Sequence, residues 1–420
     1  LWEEIKSFGG TYRPRKKGKR KGRYRNNLDY ASPFARAKEG YINSELKRRG
    51  VQVTHRQRLQ DLMGKAKKKY IEKARAEWKV YVVLRAKVWK AFKANHLVHL
   101  GNGIHWQDDI HWRDGISDST AAGVDFYDPH QRSRRLIDNQ LPELENPQAL
   151  VEALEITISE LRWFTYHRDA AKTLHYRPFT IPKKSGGERQ IWAPRPKLKK
   201  IQRWILHNIA ERLPLHAASH GFVKGRGINT NAELHIESQA IVSMDLADFF
   251  PTFTFRRVKG IFRAAGYLEG TATLLALLCT EAPRQEKNVD GQLYYVATGT
   301  RCLPQGSPAS PALTNAACMR LDRRLTGLAE KFGWRYSRYA DDLTFSFPAD
   351  EKRKPLTDLL IKWTREIVTD EGFSVREDKT KVMGMGNRQE VTGLIVNGEN
   401  DPRTPRELRR MLRAAIHNLK

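Results

Sequence analysis

The sequence predicts a mixed α/β (α+β) fold, with strands and amphipathic helices and a basic, mainly helical region ahead of them. Three observations carry this. Residues 334–338 and 343–347 alternate in polarity on either side of Tyr339-Ala340-Asp341-Asp342, the pattern of a β-hairpin with adjacent carboxylates at its tip. Residues 241–250 form an apolar run with the length of a buried strand, interrupted by Asp245. Residues 57–95 and 147–163 repeat apolar side chains every three or four positions, the period of an amphipathic helix.

The chain has 420 residues, enough for several domain-sized units. Its formal net charge is +28, which points to a polyanionic partner, nucleic acid first and an anionic membrane surface second. No apolar run approaches the roughly 20 residues that span a bilayer, and no signal-peptide pattern opens the chain; of the two polyanions nucleic acid is the expected partner, and a membrane is not. Cys279, Cys302 and Cys318 show no paired spacing, which fits a reducing cytoplasm and small apolar packing roles.

Taken in order, residues 11–30 are polybasic and contain Arg13, Arg15, Lys16, Lys17, Lys19, Arg20, Lys21, Arg23 and Arg25. Self-repulsion keeps such a run unfolded until phosphates neutralise it, and Arg15, Lys16, Lys17, Lys19, Arg20 and Lys21 are candidate RNA contacts. A merely solvated tail has the same composition. Between 57 and 95, Leu59, Met63, Ala66 and Tyr70, then Trp78, Val82, Val88 and Phe92, keep helical spacing with lysines opposite. Ile104-His105-Trp106-Gln107-Asp108 is nearly repeated as Ile110-His111-Trp112-Arg113-Asp114. Histidines and aspartates so close together could hold a metal, but no known ligand spacing matches, and a Trp-anchored loop is the preferred reading. Residues 115–147 read as a linker, and one helix is expected from Pro147 through Leu150, Leu154, Ile158, Leu161 and Trp163.

From Phe179 the chemistry becomes legible. Residues 179–192 read as strand, basic glycine turn and strand, with Lys183, Lys184 and Arg189 supplying charge for a phosphate. Asp245 in an apolar strand is costly unless paired or metal-bound. In residues 303–311, Gly306 permits close approach and Gln305 can hydrogen-bond a base or sugar, ahead of a helix. Asp341 and Asp342 repel each other and resist burial, which favours a bound cation, although an ordinary acidic turn gives the same local pattern. If the strands lie side by side, Asp245, Asp341 and Asp342 converge and can hold two Mg²⁺ ions roughly 3.5–4 Å apart for in-line phosphoryl transfer.

These segments, in this order, resemble the reverse transcriptases, and the bacterial retron type in particular, over about residues 150 to 420. The resemblance implies a right-hand polymerase. Residues 1–145 would be the N-terminal extension with its linker, 146–397 fingers and palm, and 398–420 the start of a thumb. By the same resemblance Asp245, Asp341 and Asp342 are catalytic and, with Leu246, hold two Mg²⁺ ions. Lys183, Lys184, Arg189, Asp248, Phe249, Phe250, Gln305, Gly306 and Lys379 bind the dNTP, and Phe250 clashes with a ribose 2′-OH. Asn231-Ala232-Glu233-Leu234-His235 matches the Asn-Ala-x-x-His signature of retron enzymes, and Val391-Thr392-Gly393 their Val-Thr-Gly signature, which places Asn231, His235, Val391, Thr392 and Gly393 among the RNA-binding residues. The basic extension and residues 273–283 look most like the myxobacterial branch.

Such an enzyme is an RNA-directed DNA polymerase. It uses a structured non-coding RNA as template and primes from the 2′-OH of an internal guanosine, leaving branched RNA–DNA (msDNA). It acts in anti-phage defence with a separate or fused effector protein. The expected partners are that RNA, dNTPs, the RNA–DNA duplex and a separate effector. A group II intron or diversity-generating enzyme, and a non-catalytic RNA-binding scaffold, are the alternatives. The chain opens on Leu1 and stops one basic helix beyond Thr404-Pro405-Arg406-Glu407, so truncation at both ends is expected.

Overall fold

A computed structural model describes residues 129–182, 186–352, 354–398 and 401–418, together with residues 48, 76, 79–80, 82–88 and 90–91. The polybasic run, the duplicated His-Trp segments, and Lys183 and Lys184 lie outside the described residues. The chain divides into two units, Leu1–Ala91 and Phe92–Lys420. In the first, the described residues 82–88 are helical, as the spacing predicts.

Among the described residues of the second unit, the first elements are helices α1 (Pro129–Asp138), α2 (Pro147–Leu154) and α3 (Ile158–Thr165), the short strand β1 (Ala170–Ala171), and the hairpin β2 (Tyr176–Pro182) and β3 (Glu188–Pro194). Next come α4 (Pro196–Asn208), α5 (Ile228–Glu233), β4 (Ser238–Leu246), α6 (Phe249–Thr252), α7 (Phe255–Ala264) and α8 (Glu269–Cys279). Strands β5 (Arg284–Val289) and β6 (Gln292–Ala297) precede helices α9 (Ser310–Ala317) and α10 (Met319–Phe332). The remainder is β7 (Arg335–Tyr339), β8 (Asp342–Pro348), α11 (Thr357–Asp370), β9 (Val375–Gly384), β10 (Glu390–Val391), β11 (Leu394–Ile395) and α12 (Arg406–Asn418).

The central sheet runs β7-β8-β4-β9, antiparallel throughout, so segments far apart in sequence become neighbours. Alternation gives it two faces. Val242, Met244 and Leu246 on β4, and Leu343, Phe345 and Phe347 on β8, point into the main core. Each such side chain stabilises the fold by about 1.5–3 kcal/mol. Ser243, Asp245, Asp342 and Thr344 lie on the other face. Helix α8 is buried on nearly every side, so it is apolar all round rather than amphipathic. No helix among the described residues is long and apolar enough to cross a membrane. All three cysteines are free, with Cys279 and Cys318 buried as small apolar side chains.

Two expectations are corrected. Residues 129–138, read as linker, form α1, and Leu141 and Leu144 behind it enter the core. Gly266 makes this possible: at φ +113 it lies so close to Arg132 that a Cβ there would come within 2.6 Å of the Arg132 carbonyl. The single helix from Pro147 is two helices. Glu155 turns left-handed at φ 54 and ends α2, and Thr157 with Glu160 forms a capping box that starts α3. The Thr-x-x-Glu spacing was the signal.

Candidate active site

The open face of the central sheet follows from period-two alternation on adjacent strands. On β4 it presents Ser243 and Asp245, and on β8 Asp342 and Thr344. The register pairs Asp245 with Asp342 and Ser243 with Thr344. On the other side of β4, Lys381 pairs with Ser243, and Arg376 with Asp245. Asp341 lies in the turn between β7 and β8, and its carbonyl accepts a 2.9 Å hydrogen bond from the Leu246 N–H. The structure thus brings Asp245, Asp341, Asp342 and the Leu246 backbone to one corner of the sheet. Ala340 turns the chain at φ +56, a left-handed conformation that costs an L-residue roughly 1–2 kcal/mol.

Cations balance this corner only in part. Lys379 Nζ donates to Asp245 Oδ2 at 2.9 Å, and Arg376 Nε lies 3.6 Å from Oδ1. Burial first, then the charges of Asp341 and Asp245, pushes the Asp342 carboxyl up to about 7. Burial and the Asp245 charge likewise raise Asp341, opposed by Arg189 and Lys379. Among the described residues no three acidic, His or Cys side chains close into a ligand cage. The donor set nevertheless fits divalent cations. Its ligands are hard carboxylate oxygens that repel one another, and the buried Asp245 Oδ1 has no hydrogen-bond partner. A site that keeps waters and substrate phosphates as ligands is open by nature.

This electrostatic frustration has a measurable sign. With Asp342 at about 7 against an ordinary 3.8, the folded chain holds a proton that the unfolded chain has released between those values. Metal-free stability therefore falls as pH rises from about 4 to about 7, and levels off above. Asp342→Asn removes that component: in chelator the variant melts several degrees above the parent at pH 8 and level with it at pH 4. Parallel melting curves across pH would contradict the assignment.

The expected nucleotide contacts divide. Arg189 on β3 is exposed and close enough to act on Asp341 electrostatically. Asp248 is exposed and left-handed at φ 43, and its carbonyl accepts the Thr252 N–H. Phe250 is half-buried, edge-on to Phe249. Phe249 itself is 4% exposed and packs with Phe253 and Phe373, so only its backbone can meet a nucleotide. Gln305 is half-buried, and its carbonyl accepts the Trp192 N–H at 2.7 Å, tying the 303–307 loop to the β2–β3 hairpin. The need for glycine at 306 also comes from that hairpin. At φ +115, a Cβ would meet Ile191 Cγ2 at 2.7 Å, so glycine there lets the 303–307 loop lie closely against the hairpin.

The two signatures, far apart in sequence, meet on the open face. Ala232 of α5 packs with Val391, Leu394 and Ile241 in a separate small core, and Thr392 Oγ1 donates to the Ile228 carbonyl at 3.3 Å. Asn231 and His235 are 0% exposed and Val391 2%, so direct RNA contact by these side chains is corrected to packing. His235 bonds the hydroxyls of Ser337 and Ser346, both at 2.7 Å, and burial pushes its pKa down to about 3, which keeps it neutral. Thr392 and Gly393 do reach an open groove of about 720 Å³, which Ser243, Tyr339, Asp342, Thr344, Lys381 and Arg388 also line. Lys381, Arg388, Ser243 and Thr344 were not singled out from sequence. For Ser243, Thr344 and Lys381 the signal was present, as polar residues two positions from Asp245, Asp342 and Lys379 along their strands; Arg388 lies between strands and carried no such signal.

Comparison with known proteins agrees with this geometry. Residues 181–397 match the family described as reverse transcriptase (RNA-dependent DNA polymerase). The retron Mx162 reverse transcriptase of Myxococcus xanthus is 47% identical over 367 residues, 85% of this chain and 73% of that protein. The retron Mx65 reverse transcriptase of the same organism is 42% identical over 277 residues, 66% of this chain and 64% of that protein. The retron Ec86 reverse transcriptase of Escherichia coli is 34% identical over 287 residues, 68% of this chain and 81% of that protein.

Proposed function

The chain belongs to the retron reverse transcriptases, which are RNA-directed DNA polymerases, and from that premise we propose that Asp245, Asp341 and Asp342 are the centre of its nucleotidyl transfer. The observation that carries the proposal is the pairing of Asp245 with Asp342 at the corner where Asp341 turns. These carboxylates and the Leu246 backbone would hold two Mg²⁺ ions, which when bound lower the pKa of the attacking hydroxyl and stabilise the leaving pyrophosphate. The rest of the work falls to the chain itself. Arg189, with Lys183 and Lys184, draws the triphosphate toward the acid corner. Lys379, whose Nζ donates to Asp245 Oδ2, partly balances the charge of that carboxylate. The backbone bond from Trp192 to Gln305 fixes the hairpin over the nucleotide, with Asp248 and the Phe249 backbone below it. Phe250 crowds the sugar C2′ position.

The finer reading is that the template and primer are one structured RNA. Synthesis begins on the 2′-OH of an internal guanosine, and the branched RNA–DNA acts in anti-phage defence beside a separate effector protein. Family membership supports this. So does the groove beside Asp342, lined by Thr392, Gly393, Lys381 and Arg388, which suits a phosphate backbone. The activity is tested by dTTP incorporation on an oligo(dT)-primed poly(rA) template, with and without divalent cation. Cation-dependent incorporation is expected, and none on any RNA template would refute the reading.

The polybasic residues 11–30 are proposed to hold RNA phosphates. Their deletion should weaken RNA binding and flatten the slope of log K against log salt by about 0.7 for each lost single-strand phosphate contact. An unchanged slope would make the segment a solvated tail.

A further inference from the structure

The turn that carries Asp341 and Asp342 is held from behind by a buried polar cradle, and we propose that Arg338 is a positioning residue of the reaction, acting through Ala340. The inference rests on the reading of Asp341 and Asp342 as the reaction centre. Arg338 lies on β7 with its side chain on the helix side of the sheet, opposite the open face. It and Asp322 of α10 are both 0% exposed. Its fork is fully used. Nε and Nη2 donate to the two Asp322 oxygens, each at 2.8 Å. Nη2 also donates to Ser219 Oγ at 3.3 Å, and Nη1 to Asn315 Oδ1 at 3.2 Å. The remaining N–H, on Nη1, reaches the carbonyl of Ala340 at 3.0 Å.

The neighbouring chain closes the cradle. Arg338 N donates to the Ala218 carbonyl and His220 N to the Arg338 carbonyl, both at 2.8 Å. Asn315 Nδ2 donates to the Gly221 carbonyl at 2.8 Å. Gly221 is pressed so close to the turn that a Cβ there would stand 2.6 Å from the Ala340 nitrogen. Ala340 is therefore gripped at its carbonyl by Arg338 and pressed at its nitrogen by Gly221. On the far side, Leu246 holds the Asp341 carbonyl. A left-handed alanine persists where its surroundings over-determine it, and here they do.

A buried Arg–Asp pair can also serve only to specify the fold, and the two roles differ in what they predict. If the cradle acts through Ala340, Arg338→Lys keeps the charge but loses the fork. The turn loosens, and kcat for dNTP incorporation falls roughly 10–100-fold, while KM for dNTP and Kd for RNA stay within about twofold. Glycine adopts the left-handed conformation unaided. In an Ala340→Gly background the same substitution should therefore lower kcat by no more than about threefold, a coupling between the two sites.

Gly221→Ala presses on the turn without removing either buried charge, and carries the test if Arg338→Lys does not fold. It should lower kcat by the same roughly 10–100-fold at unchanged RNA affinity. Folded Gly221→Ala with parental kcat overturns the proposal, as does an Arg338→Lys loss of equal size in both residue-340 backgrounds. Asp341→Ala assayed alongside separates the premise from the inference. If it stays active, the reading of the centre has failed. If it is inactive while Gly221→Ala keeps full kcat, only the cradle has failed.

Discussion

Asp341→Ala abolishes template-directed dNTP incorporation, with a loss of at least about 10³-fold in single-turnover rate. RNA affinity stays within a few-fold, because removing a carboxylate takes no positive charge from the phosphate path. The size of the loss follows from position. Asp341 is raised by burial and by the Asp245 charge, and Asp342 by burial and the charges of Asp341 and Asp245. Such a cluster is expensive to keep, and a chain that lacked the chemistry would gain stability by shedding it. The measurement is extension of a primed RNA template under excess enzyme, paired with a filter-binding titration of the same RNA. Incorporation within tenfold of the parent would remove Asp341 from the centre and bring back the scaffold reading.

Phe250→Ala admits ribonucleotides. The side chain is half-buried and held edge-on by Phe249, which is itself fixed by Phe253 and Phe373. It therefore cannot swing aside without disturbing the aromatic core below it, and that rigidity suits a steric gate. Truncation should lower the preference for dNTP over rNTP by roughly two orders of magnitude, with dNTP incorporation itself changing far less. Competing dATP against ATP on one template reads the ratio directly. An unchanged ratio would return Phe250 to a packing role.

The acid corner was legible in sequence because alternation and like charge are both local signals. Asp341 and Asp342 sat between two runs of period two, and Asp245 interrupted an apolar strand. The pairing of those strands came from the resemblance, since nothing local joins residue 245 to residue 342. What the sequence left hidden was long-range. Arg338 reads as one polar residue in an alternating strand, and only the fold sets it against Asp322, Asn315 and Ser219. Gly306 announced a close approach without saying to what, and the neighbour is Ile191. Asn231 and His235 carried the right signature, but burial makes them packing residues. The break between α2 and α3 was missed because apolar periodicity runs across it, although Thr157 and Glu160 marked the new start.

The central claim is that this chain builds DNA on its own RNA at the Asp245–Asp341–Asp342 corner. It is tested most directly by supplying labelled dNTPs to the purified chain with the RNA that accompanies it from its native host, then treating the product with ribonuclease and a 2′,5′-debranching activity. The account predicts labelled DNA that stays joined to a ribonucleotide after ribonuclease, is freed by debranching, and is absent with Asp341→Ala. DNA with a free 5′ end, or labelled product undiminished in Asp341→Ala, would contradict it.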